Sequence, residues 1–428
     1  MSPERPPLPP DDPQRRVLHE EVHARPPALL HAPERIAHLA LRLSPDDLAA
    51  EEAALAALAS THGLPAPDPR RGFVWLDCGA LRVKWERHTE FSGWTFYRRA
   101  DPAVAQDASP LAIVPSQWLA TLPGTTLVAM DIALDEASPE SAAAAIAAFG
   151  DAGVVGSRLG DGVATALTDL RLHDDGFIRF VVLDHGMSPR QAGRFVQRLQ
   201  DIETYRMMSL LAFPLAKEVA PSLTEAEARL ARIAERTAVE HGENDAALLD
   251  DLTRLAADVE RSEARSRFRF GAAQAYYRLV GQRIGELRET RLAGVQTLQE
   301  FMDRRLAAAM STCSSIADRQ AELSARIARA SQLLRTRVDV ALERQNQALL
   351  ASMDRRARLQ LRLQQTVEGL SIAAITYYVV GLVGYVAKGL RPLKVPIDPE
   401  AAAAVAVPIV AVGAWLALRR ARRHFERH

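Results

Sequence analysis

The apolar positions of this 428-residue chain change their spacing twice, and each change predicts a different kind of structure. Strand-like and helix-like segments alternate up to about residue 215. "SPDDLAAEEAALAALAS" opens with Ser44 as an N-cap and Pro45 at the first helical position, which predicts a helix. "GFVWLDC", "ALRVKWERH", "WTFYRR" and "TTLVAMDIAL" are rich in β-branched and aromatic residues and predict strands. "SPESAAAAIAAF" predicts a second capped helix. "GVATALTDLRLHDDGFIRFVVLDH" predicts a β-hairpin that turns near Asp175-Gly176, with Ile178, Phe180 and Val182 on one face. "SPRQAGRFVQRLQDIETYRMM" predicts a capped amphipathic helix with Phe195, Val196, Leu199 and Ile202 on one side. Residues 17–215 are therefore expected to form an α/β domain with a mixed or antiparallel sheet. A Pro-rich, disordered tail at 1–16 is expected to precede it.

Beyond Pro221 the spacing becomes helical throughout, and no proline occurs from Ser222 to Arg391. Thr224 and Glu227 have the spacing of a capping box. From Val295 to Glu368 there is neither Gly nor Pro, a run of 74 residues; as one helix it would reach about 110 Å. A heptad seam passes through Leu306, Ala309, Cys313, Ile316, Leu323, Ile327, Ala330 and Leu334, interrupted by Gln320. Residues 222–365 are thus expected to form a helical coiled-coil stalk, and the fold class to be α+β. The stalk needs partners along its sides, from its own chain or from other copies.

The second change comes near the end. Gly369–Ala387 and Ala401–Leu418 are 19 and 18 residues without a charge, close to the roughly 20 that a bilayer core requires. They predict a two-helix transmembrane hairpin, with spans at 366–387 and 401–418, a short loop at 388–400 and a basic tail at 419–428. Arg355, Arg356, Arg358 and Arg362 precede the first span. Arg419, Arg420, Arg422, Arg423 and Arg427 follow the second, against Lys388, Arg391 and Lys394 in the loop. Basic flanks favour the cytoplasmic side, so both ends are expected there. Trp415 is expected near the cytoplasmic interface, and Pro408 is expected to kink the second span. The N-terminus has no apolar core and does not read as a signal peptide, which supports a cytoplasm-facing domain in the inner membrane.

Charge adds one pairing. Net charge is zero and gives no sign of nucleic-acid binding. Locally, 218–260 holds 11 acids and 4 bases, whereas 304–362 holds 12 arginines and 5 acids. These segments are expected to pack together. The two cysteines, Cys78 and Cys313, form no CxxC pair, which argues against a disulfide scaffold or a cysteine zinc site.

Candidate chemistry is sparse. "HEEVH" at His19, Glu20 and His23 has the H-E-x-x-H spacing that puts two imidazoles on one helical face. It sits between Pro13 and Pro26 and lacks a third ligand, so no catalytic zinc site is expected there. "WERHTEF" gathers Glu86, Arg87, His88 and Glu90 as a polar cluster, read as ion pairing within the sheet or, more sharply, as a ligand site. Ala374, Tyr377, Gly381 and Gly384 share one face of the first span and are candidates for helix packing or a pore lining. No cofactor motif is present.

Several stretches together resemble one bacterial family of membrane-anchored proteins, a domain of unknown function. They are "EVHARP" (Glu21–Pro26), "ERIAHLAL" (Glu34–Leu41), "WERHTEF", "TDLRLHDDGFIRF", "YRMMSLLAFPLA" (Tyr205–Ala216), the Leu333–Ser371 block and "YYVVGLVGY". The resemblance implies membrane anchoring and no assigned reaction. The family motif starts at Glu21 and does not include a preceding histidine, which weakens the zincin reading further. In layout alone the chain also resembles CorA-type magnesium transporters. These are oligomers whose first span lines the pore and ends in Gly-Met-Asn. The corresponding place here reads Gly384-Tyr385-Val386, so magnesium selectivity does not carry over.

The expectation is a homo-oligomeric, bilayer-anchored scaffold or sensor without enzymatic activity, cofactor or nucleic-acid partner. An ion transporter or channel of unidentified ion is the alternative, and a zinc metalloprotease a distant third.

Overall fold

The computed structural model describes residues 9–16, 18–19, 26–99, 109–150, 153–239, 244–390 and 398–425. It is an α+β protein in two compact units, Met1–Arg236 with Asp250–Ser331, and Thr237–Leu249 with Gln332–His428.

The first unit is built on a nine-stranded mixed sheet. Its strands are β1 (Glu34–Arg42), β2 (Phe73–Cys78), β3 (Leu81–Arg87), β4 (Phe91–Arg99), β5 (Thr125–Glu136), β6 (Val155–Leu159), β7 (Ala164–Thr168), β8 (Ile178–Asp184) and β9 (Thr290–Arg291). They lie in the order β2-β3-β4-β1-β5-β8-β7-β6-β9. Only β5 and β8 pair in parallel; every other pair is antiparallel. The expected hairpin is present as β7 and β8, with Thr168 opposite Phe180. Central β1 is buried from Glu34 to Leu41, because helices cover both of its faces. Strands buried on two sides lose the apolar–polar alternation that marks a half-exposed strand.

One sheet face is covered by α1 (Leu48–Thr61) and the short α2 (Ser116–Leu119). Ser44 and Asp47 form the capping box ahead of α1, across a 3-10 turn that begins at Pro45. Leu55, Leu58 and Ala59 of α1 bury against Val83, Trp85, Trp94 and Phe96 in one apolar cluster. α3 (Ser141–Ala148) follows β5. α4 (Pro189–Leu210) covers the opposite face; Phe195, Val196, Leu199 and Ile202 are buried as expected. Its capping box is Ser188 with Gln191. Gly193 is obligatory here, since a Cβ on it would lie 1.8 Å from the Ala28 carbonyl oxygen.

Three helices complete the unit: α5 (Ala212–Val239), α6 (Asp245–Leu287) and α7 (Leu298–Leu390), of which residues 212–236, 250–287 and 298–331 belong to it. The boundary expected near 215 lies close to the α4/α5 junction, but the compact unit continues past it. The Thr224/Glu227 capping box is corrected. α5 runs through Pro221 without stopping, Thr224 bonds back to the Ala220 carbonyl, and Glu227 pairs with Arg319 of α7 at 2.7 Å. Buried Val219 and Leu223 hold the helix together on both sides of the proline. Along α7, Leu306, Cys313, Ile316, Leu323 and Ile327 are buried. The polar interruption Gln320 is buried as well, and it bonds to Ser262 and Ser266 of α6. The acidic segment therefore does lie beside the basic one within this chain. Burial supplies most of that contact, for the Glu227–Arg319 pair is about one-third exposed and worth about 0–1 kcal/mol.

In the second unit Arg337 donates to the Thr237 carbonyl at 2.7 Å and pairs with Asp245 at 3.3 Å. Leu334 is the last buried large apolar residue of α7 before the apolar segments. From 341 to 367 every residue is exposed. The unit ends in α8 (Pro399–Phe425), which contains Pro408. α7, through its C-terminal part, and α8 are both long and apolar enough to cross a membrane.

Candidate functional site

Strand alternation decides where the polar residues of "WERHTEF" go, and it separates them. Arg87 shares a face with Trp85, toward α1. It pairs with Glu51 at 3.3 Å and Glu52 at 3.0 Å and lies over the Trp85 ring. Glu86 points to the other face and pairs with Lys84 at 2.8 Å. Beyond the strand end, His88 stacks on Phe91 with ring centroids 4.3 Å apart. Glu90 accepts two bonds of 2.8 Å from Arg269 of α6. The expected single cluster is thus corrected to separate sites on two sides of the sheet, because neighbouring strand residues face opposite ways.

The structure places a different polar group in the middle of the α4 face. Lys84, Thr95 and His38 stand side by side on β3, β4 and β1. Lys84 is 2% exposed and His38 6%. His38 Nδ1 is 2.9 Å from the Thr95 hydroxyl, and Nε2 is 3.3 Å from that of Thr204 on α4. Burial, then the Lys84 charge and then His88, push the imidazole down to about 3, so it is neutral at physiological pH. Nearby, Asp201 of α4 accepts from Arg283 of α6 at 2.8 Å. Burial raises its carboxyl to about 6 despite that arginine, and Glu86 adds to the rise. Tyr205 and Tyr276 stack at 5.7 Å beside this pair, and both phenols are pushed up chiefly by burial. Glu203, fully buried, is held by Arg206 at 2.6 Å.

His38 and Asp201 carry opposed shifts on the same side of the sheet, which marks the group as a candidate site. None of them was named from the sequence. The alternation of "ALRVKWERH" does put Lys84 opposite Trp85, but only burial of both faces makes the lysine unusual. His38 lies in "ERIAHLALR", whose unbroken burial leaves no strand period to read.

The remaining candidates are dispersed. His19 is exposed, whereas Glu20 and His23 lie outside the described residues. No group of three or more His, Cys, Asp or Glu able to hold a metal occurs among the described residues. In the first apolar segment, Ala374, Tyr377 and Gly381 are exposed and Gly384 is half-buried. Ile372, Thr376, Val380 and Val383 are also half-buried, and Ala387 is buried. The side covered within the chain is therefore displaced from the expected small-residue face. Of the loop cations, Lys388 is described and exposed, while Arg391 and Lys394 lie outside the described residues.

The chain belongs to a family of unknown function: the family model described as "Protein of unknown function (DUF3422)" matches residues 10–425. No curated protein and no solved structure matches the chain.

Proposed function

We propose that this member of the family is a cytoplasm-facing homo-oligomer anchored in the inner membrane, acting as a scaffold or sensor. In this reading α7 and α8 insert as a hairpin with both chain ends in the cytoplasm, and the basic flanks at 355–362 and 419–427 support that orientation. One observation carries the oligomer. From 341 to 367 every residue of α7 is exposed, yet its apolar spacing continues. Leu349, Met353, Leu363, Val367 and Leu370 are all exposed, and with Arg356 and Gln360 they follow a three–four spacing. The same spacing runs on through Ala374, Tyr377, Gly381 and Gly384. A solvated helix with such a stripe is marginal alone and is stabilised by burying it against identical helices. Small residues then let the spans approach closely.

Single cysteines at Leu363 and Leu370, placed in a Cys78→Ser/Cys313→Ala background, test this. Both should cross-link between copies in native membranes, whereas cysteine at Leu361 on the opposite side should not. A monomeric mass in mild detergent, with no cross-link at either seam position, overturns the assembly. Labelling of a cysteine at residue 428 from the periplasm overturns the topology. A ring with the first spans at its axis turns the reading toward conduction.

A further inference from the structure

A cavity of about 650 Å³ opens in the first unit, and it takes Arg206 of the buried polar group into its wall. Its walls come from the approach to β6, the turn after β7, the end of α4 and the first two turns of α7. Four arginines line it, Arg171, Arg206, Arg304 and Arg305, and one carboxylate, Asp169. Glu203 already neutralises Arg206. Asp169 is itself engaged, since it accepts from the Arg171 backbone N–H at 3.1 Å and lies 3.1 Å from His173. The side chains of Arg171, Arg304 and Arg305 have no ion-pair partner among the described residues. Three guanidinium groups without an ion-pair partner among the described residues thus line one concave space that holds a single carboxylate.

Elsewhere in the unit most arginines near the cores are paired, as Arg283, Arg269 and Arg319 are. Cations in excess of the one carboxylate repel one another, and a bound anion reduces that cost. The rest of the lining is largely apolar, including Leu210, Phe301 and Met302. The volume falls within the range of small-ligand sites. Planar guanidinium forks match the oxygens of phosphate and carboxylate in pairs, and three of them suit a ligand with two or more negative charges.

We infer that this cavity is a binding site for a small phosphorylated metabolite, with the phosphates on Arg171, Arg304 and Arg305 and the organic part on the apolar wall. The inference does not depend on anchoring or assembly, since every lining residue belongs to one unit of one chain.

Calorimetric titration of the full-length, detergent-solubilised protein tests it, with pyrophosphate and ATP as probes at constant ionic strength and sulfate as control. Saturable binding of at least one probe, at one per chain and well above sulfate, is expected. Arg304→Gln/Arg305→Gln should weaken it by roughly tenfold or more, as should Arg171→Gln. All three side chains are exposed and mutually repulsive, so the unfolding midpoint of the unliganded variants should not fall. Absence of saturable binding by both probes, equal binding of sulfate, or an isotherm unaltered by the substitutions overturns the site.

Discussion

Where β3, β4 and β1 lie side by side, the two faces of the sheet are covered by side chains of different kinds. Under α1 the layer is aromatic. Trp85, Trp94 and Phe96 are fully buried, with Trp94 edge-on to Trp118 at 5.3 Å. Two of its indoles are tied locally, Trp85 Nε1 to Glu51 and Trp118 Nε1 to the Ala54 carbonyl, each at 2.9 Å, while the buried Trp94 Nε1 has no hydrogen-bond partner among the described residues. Under α4 the same strands present Lys84, Thr95 and His38, and the helices answer with Thr204, Asp201 and Arg283. The aromatic face gains from area removed from water. The polar face gains little net energy from its charges, because desolvation consumes most of the Coulomb attraction. What it gains is dependence on protonation state and on correct partners, which an apolar layer lacks.

The largest effect that separates the faces is expected at Trp94. Trp94→Ala should cost about 3–5 kcal/mol, with no compensating second substitution on the same face. Tryptophan fluorescence in a thermal or urea unfolding series reads it directly, because four of the five tryptophans lie in or against the sheet. A loss below about 1 kcal/mol would show that this layer repacks freely.

Lys84 should behave differently. Lys84→Met alone leaves the Glu86 carboxylate without its partner and should cost about 3 kcal/mol. Adding Glu86→Gln should recover most of that loss. If the double variant is no more stable than the single one, the pair is not what holds this face together.

Acidity sharpens the contrast further. The His38 imidazole binds its proton more weakly folded, at about 3, than unfolded, near 6.5. Its neutral form therefore adds stability that is fully present above pH 6.5 and is lost as pH falls toward 3. Asp201 acts in the opposite sense. Its folded carboxyl titrates at about 6, above the ordinary aspartate value of about 3.9, so the folded protein gains relative stability as pH falls through that interval. The stability difference between wild type and His38→Gln should thus shrink by a few kcal/mol between pH 6.5 and 3. A difference that stays constant across that range removes His38 from the account.

The smallest effect is expected outside both faces. Arg319→Gln breaks the pair with Glu227 on the helical bundle and should cost about 0–1 kcal/mol, less at high salt. A larger loss would mean that charge, not the buried seam through Ile316 and Leu323, fastens these helices.

Much of this architecture is legible along the chain. Capping residues at Ser44 and Ser188, the Asp175-Gly176 turn and the 74-residue run without Gly or Pro each act over a few neighbouring residues. Local chemistry of that kind survives without tertiary context. Pro221 shows the limit: it reads as a breaker, yet packing of Val219 and Leu223 carries α5 through it. The candidate chemistry was less legible. Glu86, Arg87, His88 and Glu90 are adjacent in sequence, and the pleat sends Glu86 and Arg87 to opposite faces.

By itself, then, the sequence determined the α+β class, the helix-forming arginine-rich run and two apolar segments of spanning length, because propensity and periodicity are properties of neighbours. Tertiary structure alone decided that "ERIAHLALR" is an interior strand, fourth of the nine in the sheet. It alone brought His38 beside Lys84, and drew Arg171 of the β7 turn to Arg304 and Arg305 of α7 around one cavity. Those residues are separated by tens to more than a hundred positions. Their proximity arises from strand order and helix packing, which no local spacing encodes.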